Sequence, residues 1–164
     1  LTAADVIRTY SEDELVALLQ EIGQERWARR IANRMVQTRA RQPITTTTQL
    51  ARMIAEAVPG RAAHGRLHPA TRTFMALRIV VNQEAESLTQ FLKVLPDVLL
   101  PGGRAAIITF HSMEDRLVKH TFAQAAREGI YRLLTKKPVR PSEQEEAANP
   151  RSRSAKLRAV ERLS

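Results

Sequence analysis

The sequence predicts an α/β domain that follows a small all-helical subdomain. Residues 1 to about 60 carry helix-capping residues and apolar positions at helical spacing. Residues 104–110 form a short apolar run between a Pro-Gly-Gly turn and the start of a helix. Because a helix, a tight turn, an apolar run and another helix follow in that order, we expect residues 104–110 to be a buried parallel strand.

Capping residues place the first two helices. Thr2 can cap a helix over Ala3–Thr9. Ser11 and Glu14 have the spacing of a capping box, which predicts the start of a second helix. Gly23 follows the last apolar position of that helix and is a natural end for it.

Two longer helices are predicted next. One covers residues 24–41, where apolar residues recur every four positions, and the other covers residues 49–57 and is capped by one of the threonines before it. Pro43 ends the first of these helices. Residues 60–67 contain two glycines, two arginines and a histidine, and we expect a flexible basic connector there.

The remaining elements flank the apolar run. Helices are predicted over residues 70–81 and 82–95 before it, and over residues 113–127 after it. Apolar and charged residues alternate over residues 156–163, which predicts a final edge strand.

Composition points to a polyanionic partner. The 164 residues carry a net charge of +9, which favours nucleic acid first and an anionic membrane surface second, with simple solubility as the alternative. The chain has no cysteine, which excludes disulfides and thiolate metal sites and fits a reducing cytoplasm. No apolar run approaches the roughly 20 residues that span a bilayer. Since nucleic acid is the favoured partner, we expect no membrane partner.

The sharpest local feature is the segment 110–116, with the sequence FHSMEDR. It lies where the predicted strand ends and a helix begins, which is where open α/β sheets bind ligands. Ser112 can cap the helix, Glu114 and Asp115 suit the positive end of its dipole, and His111 is expected to face the crevice. An ordinary capped helix start with a solvated charge cluster explains the same residues equally well.

Three other kinds of site are disfavoured. Adjacent residues such as His111 and Ser112 rarely place their side chains as a base and a nucleophile, and no elbow glycines surround the serine. The histidines lack metal-ligand spacing, so no metal site is expected. Gly102 and Gly103 precede their strand, whereas phosphate-binding loops follow one.

Two clusters of basic residues predict contacts with phosphates. The first lies on the third predicted helix and includes Arg26, Arg30 and Arg34. The second lies near the C-terminus and comprises Lys136, Lys137, Arg140, Arg151, Arg153, Lys156 and Arg158. A solvated helix face and a disordered tail are the respective alternatives.

Four blocks of the sequence resemble the MraW family of bacterial ribosomal RNA methyltransferases. They are residues 68–79 (HPATRTFMALRI), 101–116 (PGGRAAIITFHSMEDR), 134–143 (LTKKPVRPSE) and 149–157 (NPRSRSAKL). They occur in the family's order, and the similarity extends over essentially the whole chain. The departures are mild: Met75 stands where Gln is common, Met113 where Leu is common, and Gln24 where Glu or Asp is common.

The resemblance implies an S-adenosylmethionine-dependent class I methyltransferase with a Rossmann-like fold. Residues 66–164 would be the C-terminal half of that domain, and residues 1–65 would be an all-helical insert that helps to hold substrate RNA. The implied activity is N(4)-methylation of a cytidine of 16S rRNA in the decoding centre of the small ribosomal subunit, in the cytoplasm.

The same resemblance suggests roles for particular residues. His111, Ser112 and Glu114 are expected to line or support the catalytic crevice, and Arg72, Arg78 and Arg116 to contact RNA or support the site. The target base must leave its stack, and its amine must then meet the methyl group in line, so positioning matters more than a strong base.

Full-length relatives carry a glycine-rich cofactor loop, an acidic residue for the cofactor ribose and an Asp-containing segment before this region. Because none of these occurs here, no cofactor-binding residue is assigned, and we expect a fragment that is inactive alone and exposes an apolar surface. The alternative hypothesis is a non-catalytic RNA-binding module. A homodimer stays open, since the sequence does not give the oligomeric state.

Overall fold

The computed structural model describes residues 1–59 and 68–163. The chain divides into two compact units, of which the first is Leu1–Glu84 and the second begins at Ala85. The predicted connector at residues 60–67, and with it the predicted domain boundary between residues 65 and 66, lies outside the described residues. Within the described ranges, no helix is both long enough and apolar enough to cross a bilayer.

The first unit begins with two short capped helices. Helix α1 spans Ala3–Thr9 behind a capping box of Thr2 and Asp5, and helix α2 spans Glu12–Ala17 behind the predicted capping box of Ser11 and Glu14. Helix α2 continues into a π-helical turn over Leu18–Ile22, and Gly23 ends it as predicted.

Three longer helices complete the described part of the first unit: α3 (Ala28–Arg41), α4 (Thr47–Ala57) and α5 (Thr71–Val81). Helix α4 is capped by Thr46, as expected for a threonine of that segment. The prediction that the third helix starts at residue 24 is wrong. Gln24 has a φ of 49°, a left-handed conformation that a helix cannot include, and α3 begins four residues later.

One apolar core joins these helices. Its members are fully or nearly fully buried and come from α1 to α5; they include Val6, Leu15, Leu19, Ile31, Met35, Ile54 and Leu77. Helix α5 therefore packs with the helices before it, although the sequence grouped it with the α/β region.

Gly23 is required by close packing rather than by its own backbone conformation. Its φ of −76° is open to any residue. A Cβ atom there would lie 2.8 Å from the carbonyl oxygen of Leu19 and 3.2 Å from the Cβ of Ala76 on α5. The absent side chain lets α5 approach the end of the π-helical turn.

The second unit is built from helices and short strands. Its elements are α6 (Glu84–Val98, with Pro96 in its last turn), β1 (Arg104–Thr109), α7 (Ser112–Arg127), β2 (Tyr131–Leu133), α8 (Glu143–Ala148), a 3-10 helix (Pro150–Ser154) and β3 (Lys156–Arg162). The sequence predicted α6, β1, α7 and β3 and missed the three elements between α7 and β3.

The strands form a sheet in the order β1-β3-β2, in which β3 is antiparallel to both neighbours. Strands β1 and β2 therefore run parallel to each other, one on each side of β3, and are joined through α7. Two predictions are wrong. Strand β1 pairs in antiparallel fashion with β3 among the described residues, and β3 is the central strand rather than an edge.

Burial of β1 also differs from the prediction. Ala105 and Ile107 pack against the core of the second unit, whereas Arg104, Ala106 and Ile108 are exposed. Successive side chains of a strand point to opposite faces, so a strand covered on one face alternates instead of being buried throughout. The core itself contains Leu92, Leu95, Val118, Phe122, Tyr131 and Val160.

The second unit exposes large apolar side chains, as the sequence led us to expect. On α6, Phe91, Val94 and Val98 are 47%, 51% and 68% exposed. At the end of β1, Ile108 and Phe110 are 55% and 54% exposed. Exposed apolar clusters are typical of surfaces that bind another protein segment, a membrane or a ligand.

Candidate active site and RNA-binding residues

The turn between β1 and α7 holds the predicted catalytic residues. Strand β1 ends at Thr109 and α7 begins at Ser112, so the segment lies at the carboxyl end of the strand, as predicted. The cap is His111 rather than Ser112, because the side chain of His111 accepts the backbone N–H of Glu114. Ser112 is instead the first residue of the helix, and it is exposed.

His111 and Glu114 hold each other in place. His111 Nδ1 accepts the Glu114 N–H at 3.5 Å, and His111 Nε2 lies 3.0 Å from Glu114 Oε1. Glu114 Oε2 accepts the backbone N–H groups of Phe110 at 2.9 Å and of His111 at 3.4 Å. Since the His111 side chain is only 7% exposed, this histidine is braced within the turn rather than freely exposed to solvent.

Opposing effects act on the pKa of Glu114. Burial raises it, but hydrogen bonds from His111 and from the Phe110 N–H outweigh the burial and leave the pKa below its ordinary value. Glu114 is therefore a carboxylate at neutral pH. It can accept hydrogen bonds and balance positive charge, and it cannot donate a proton.

Asp115 anchors the same turn to β3. Its Oδ1 accepts from Arg158 Nε at 2.7 Å, and its Oδ2 accepts from Lys156 Nζ at 2.9 Å. Burial raises the pKa of Asp115, but the hydrogen bonds from Arg158 and Lys156 outweigh it, so the net pKa lies below the ordinary value. The first turn of α7 is thus fixed on the sheet by charge-assisted hydrogen bonds.

Two residues of the predicted C-terminal basic cluster have a different role from the one expected. Lys156 and Arg158 bind Asp115, and Arg158 is only 8% exposed. A guanidinium enclosed in this way cannot reach a phosphate, so the RNA-binding prediction for Arg158 is wrong. Lys156 and Arg158 are two residues apart on a strand and therefore share one face, but no local pattern indicates the carboxylate opposite them.

The predicted RNA-binding residues on α3 and in the segment just before it are exposed. Arg26 lies over the Trp27 ring, with its guanidinium carbon 5.2 Å from the ring centroid. Arg30 is also exposed. Arg34 Nη2 lies 3.2 Å from Glu56 Oε2 on α4.

Arg72 and Arg78 on α5 make local contacts. Arg72 Nη1 donates to the carbonyl oxygen of Gln24 at 3.0 Å, which braces the turn before α3. Arg78 donates through Nε and Nη2 to the two carboxylate oxygens of Glu84 at 2.9 and 3.1 Å. Both arginines are nevertheless exposed.

The other predicted RNA-binding residues lie in the second unit. Arg116, Lys136, Lys137, Arg151 and Arg153 are exposed, and none of them uses its charged group in a hydrogen bond or ion pair with another described residue. Arg151 and Arg153 lie on the 3-10 helix, whereas Arg116 lies on α7, four residues after Ser112.

The turn after β1 does not have the form of a cofactor cradle. Phe110, His111 and Ser112 follow the strand, and no glycine is among them. Gly102, which has a φ of 79°, lies before the strand in an open turn. The described residues therefore do not supply the glycine-rich loop with which a dinucleotide-type cofactor is bound.

Comparisons with known proteins show the family to which this chain is similar. The MraW methylase family matches residues 1–163. A protein of Nostoc punctiforme named "Ribosomal RNA small subunit methyltransferase H" is 53% identical over 99% of this chain and 53% of its own length. Proteins of the same name from Trichodesmium erythraeum and Acidobacterium capsulatum are 50% and 49% identical, over 100% and 99% of this chain and 56% and 53% of their own lengths.

The chain thus spans about half the length of the curated relatives that it matches. The family match covers both compact units, including the turn that holds His111 and Glu114. This chain belongs to the MraW methylase family.

Proposed function

We propose that the chain is part of an S-adenosylmethionine-dependent methyltransferase that modifies N(4) of a cytidine in 16S rRNA of the small ribosomal subunit. The observation that carries the proposal is the match of both units to the MraW methylase family, at about half identity to proteins named rRNA methyltransferases. The reaction would take place in the cytoplasm, on RNA that the basic residues of both units help to hold.

The sheet supports a class I methyltransferase domain. Strand β3 is antiparallel and lies between two strands that are parallel to each other. Among the described residues β1 has a partner on one side only, and Ile108 and Phe110 are exposed at its end. We infer that further parallel strands, supplied by the other half of the protein, pair with the open edge of β1.

The cofactor and the site residues have separate tasks in this proposal. S-adenosylmethionine, when bound, supplies the methyl group, and its binding residues are expected in the other half of the protein. His111 and Glu114 fix the turn at the end of β1, and the exposed Ser112 hydroxyl contacts the target base. Glu114 adds a negative charge beside an amine that becomes positive as it is methylated.

Substitutions at the turn test this assignment in the protein that joins this chain to the other half found in its relatives. S112A should lower methylation of small ribosomal subunits about tenfold without loss of stability, since Ser112 is exposed. H111A should lower it by about ten- to a hundredfold, because it removes both the cap and the brace on Glu114. Methyl incorporation from labelled cofactor, and circular dichroism for the fold, provide the readouts.

The control is H120A, which changes an exposed histidine on the same helix. It should leave methylation unchanged. If H111A and S112A methylate as fast as H120A, the β1–α7 turn is not part of the active site.

A non-catalytic RNA-binding module is the second candidate, favoured by the exposed cations of both units. It predicts salt-dependent RNA binding by the 164-residue chain. It also predicts no methylation by the joined protein, meaning this chain together with the other half found in its relatives. Methyl transfer to rRNA by the joined protein rules this candidate out.

A further inference from the structure

A groove runs between α3 and α4 of the first unit. Each helix contributes positions i, i+3, i+4 and i+7, so one continuous face of α3 lies opposite one continuous face of α4. The groove encloses about 270 Å³ and lies wholly within the first unit. Its polar and charged lining includes Arg34, Gln37 and Arg41 of α3 and Gln49, Arg52 and Glu56 of α4.

The groove is positively charged. Three arginines line it, against one glutamate. Arg34 and Glu56 form an exposed ion pair with 3.2 Å between Nη2 and Oε2. The guanidinium groups of Arg41 and Arg52 form no hydrogen bond or ion pair with any residue in the described part of the chain, and both side chains are exposed.

The shape favours a polymer over a small molecule. A volume of about 270 Å³ is below the range of roughly 300–1,000 Å³ in which proteins bury small ligands. Arg34 and Arg41 are seven residues apart, which is about 10 Å along a helix axis. A strand of successive phosphates can therefore meet several guanidinium groups along the groove.

The lining also indicates which part of a nucleic acid is bound. Arginine binds phosphate through paired N–H groups, and glutamine can hydrogen-bond to sugar or phosphate oxygens. No aromatic side chain is among the described residues that line the groove, so it offers no aromatic ring on which a base could stack. Recognition should therefore depend on the backbone and little on base sequence.

We propose that the α3–α4 groove binds the ribose–phosphate backbone of single-stranded RNA. Arg34, Arg41 and Arg52 neutralise phosphates, and Glu56 competes with phosphate for Arg34. This inference rests on the proposed function for the RNA substrate and adds the surface of the first unit along which that RNA runs.

Binding of a fluorescent uridine oligonucleotide to the 164-residue chain tests the groove. R41Q/R52Q should weaken binding about tenfold at moderate salt, since two exposed ion pairs together provide about this factor. The slope of log affinity against log salt should fall by about 1.4, because each phosphate contact on a single strand contributes about 0.7. A mixed-sequence oligonucleotide should give the same result.

E56Q tests the competing carboxylate in the opposite direction. Removing its charge releases Arg34, so RNA should bind about two- to threefold more tightly. The matched control is K93Q/K119Q, which removes two exposed positive charges from the second unit and should change affinity less than about twofold.

The results separate the possibilities. The groove assignment is overturned if R41Q/R52Q binds RNA as tightly as K93Q/K119Q does. It is also overturned if E56Q binds RNA no more tightly than the unchanged chain, or if the chain binds polyglutamate as well as RNA. If R41Q/R52Q loses RNA binding but the joined protein does not methylate rRNA, the proposed function fails while the groove stands. If the joined protein methylates rRNA equally well with and without R41Q/R52Q, the groove assignment fails alone.

Discussion

At the residue scale, Asp115 joins two elements that are distant in sequence. It binds Arg158 and Lys156 of β3 from the first turn of α7, and its own side chain is only 13% exposed. Removing one member of an enclosed ion pair leaves the other charge without compensation. Asp115 is therefore expected to hold the β1–α7 turn in position without contacting a substrate itself.

The substitution D115N should destabilise the second unit by about 3 kcal/mol. This value is at the lower end for broken buried ion pairs, because Lys156 keeps 26% of its side chain exposed. Hydrogen exchange of the β3 amides provides the measurement, and D97N, at an exposed aspartate of α6, is the control. Unchanged β3 protection in D115N would show that the ion pairs add no net stability.

The same variant should also change the acid response. Because the folded-state pKa of Asp115 lies below its ordinary value of about 3.9, ionised Asp115 stabilises the fold above about pH 5. That contribution is lost as the pH falls through 3.9 towards the folded-state pKa. The difference in β3 protection between D115N and the unchanged chain should therefore shrink as the pH falls from about 5 to about 3.

At the scale of elements, Gly23 determines how closely α5 packs against the end of the π-helical turn. A Cβ atom there would lie 3.2 Å from the Cβ of Ala76 and 3.2 Å from the carbonyl oxygen of Arg72, both on α5, and 2.8 Å from the carbonyl oxygen of Leu19 in the turn itself. The sequence identified Gly23 as the end of a helix, but the close approach of α5 is a tertiary contact.

The substitution G23A should destabilise the first unit by about 1–3 kcal/mol, the usual cost of an added methyl group in a packed site. Urea unfolding followed by fluorescence of Trp27, the only tryptophan, reports on this unit. Q20A, at an exposed position of the same turn, is the control and should stay within about 0.5 kcal/mol. Equal midpoints for G23A and Q20A would mean that the turn and α5 can both shift to admit the methyl group at no cost.

At the scale of the whole molecule, the two units have separate apolar cores. Residues 1–84 should therefore unfold cooperatively when expressed alone. M35A removes a fully buried side chain of the first core and should cost about 2–5 kcal/mol. That cost should agree within about 0.5 kcal/mol between residues 1–84 and the 164-residue chain, measured by Trp27 fluorescence.

Gradual, non-cooperative unfolding of residues 1–84 would contradict this expectation. So would a much smaller effect of M35A in residues 1–84 than in the longer chain, since it would mean that the first core is incomplete without the second unit. Q37A, at an exposed position of α3, is the control and should have little effect in either chain.

The sequence by itself determined the features that depend on neighbouring residues. The capping boxes at Thr2 and Ser11 join groups three residues apart, and the buried stripe of Ile31 and Met35 follows from helical periodicity. Family membership and the position of the segment 110–116 at the end of a strand were likewise readable from local motifs.

Tertiary structure decided what depends on residues far apart in the chain. The antiparallel pairing of β1 with β3, the ion pairs of Asp115 across 41 and 43 residues, and the groove between α3 and α4 were not specified by local pattern. Strand partners and charge partners are selected by the free energy of the whole fold, and a period of two or four residues gives the face of an element but not what it meets.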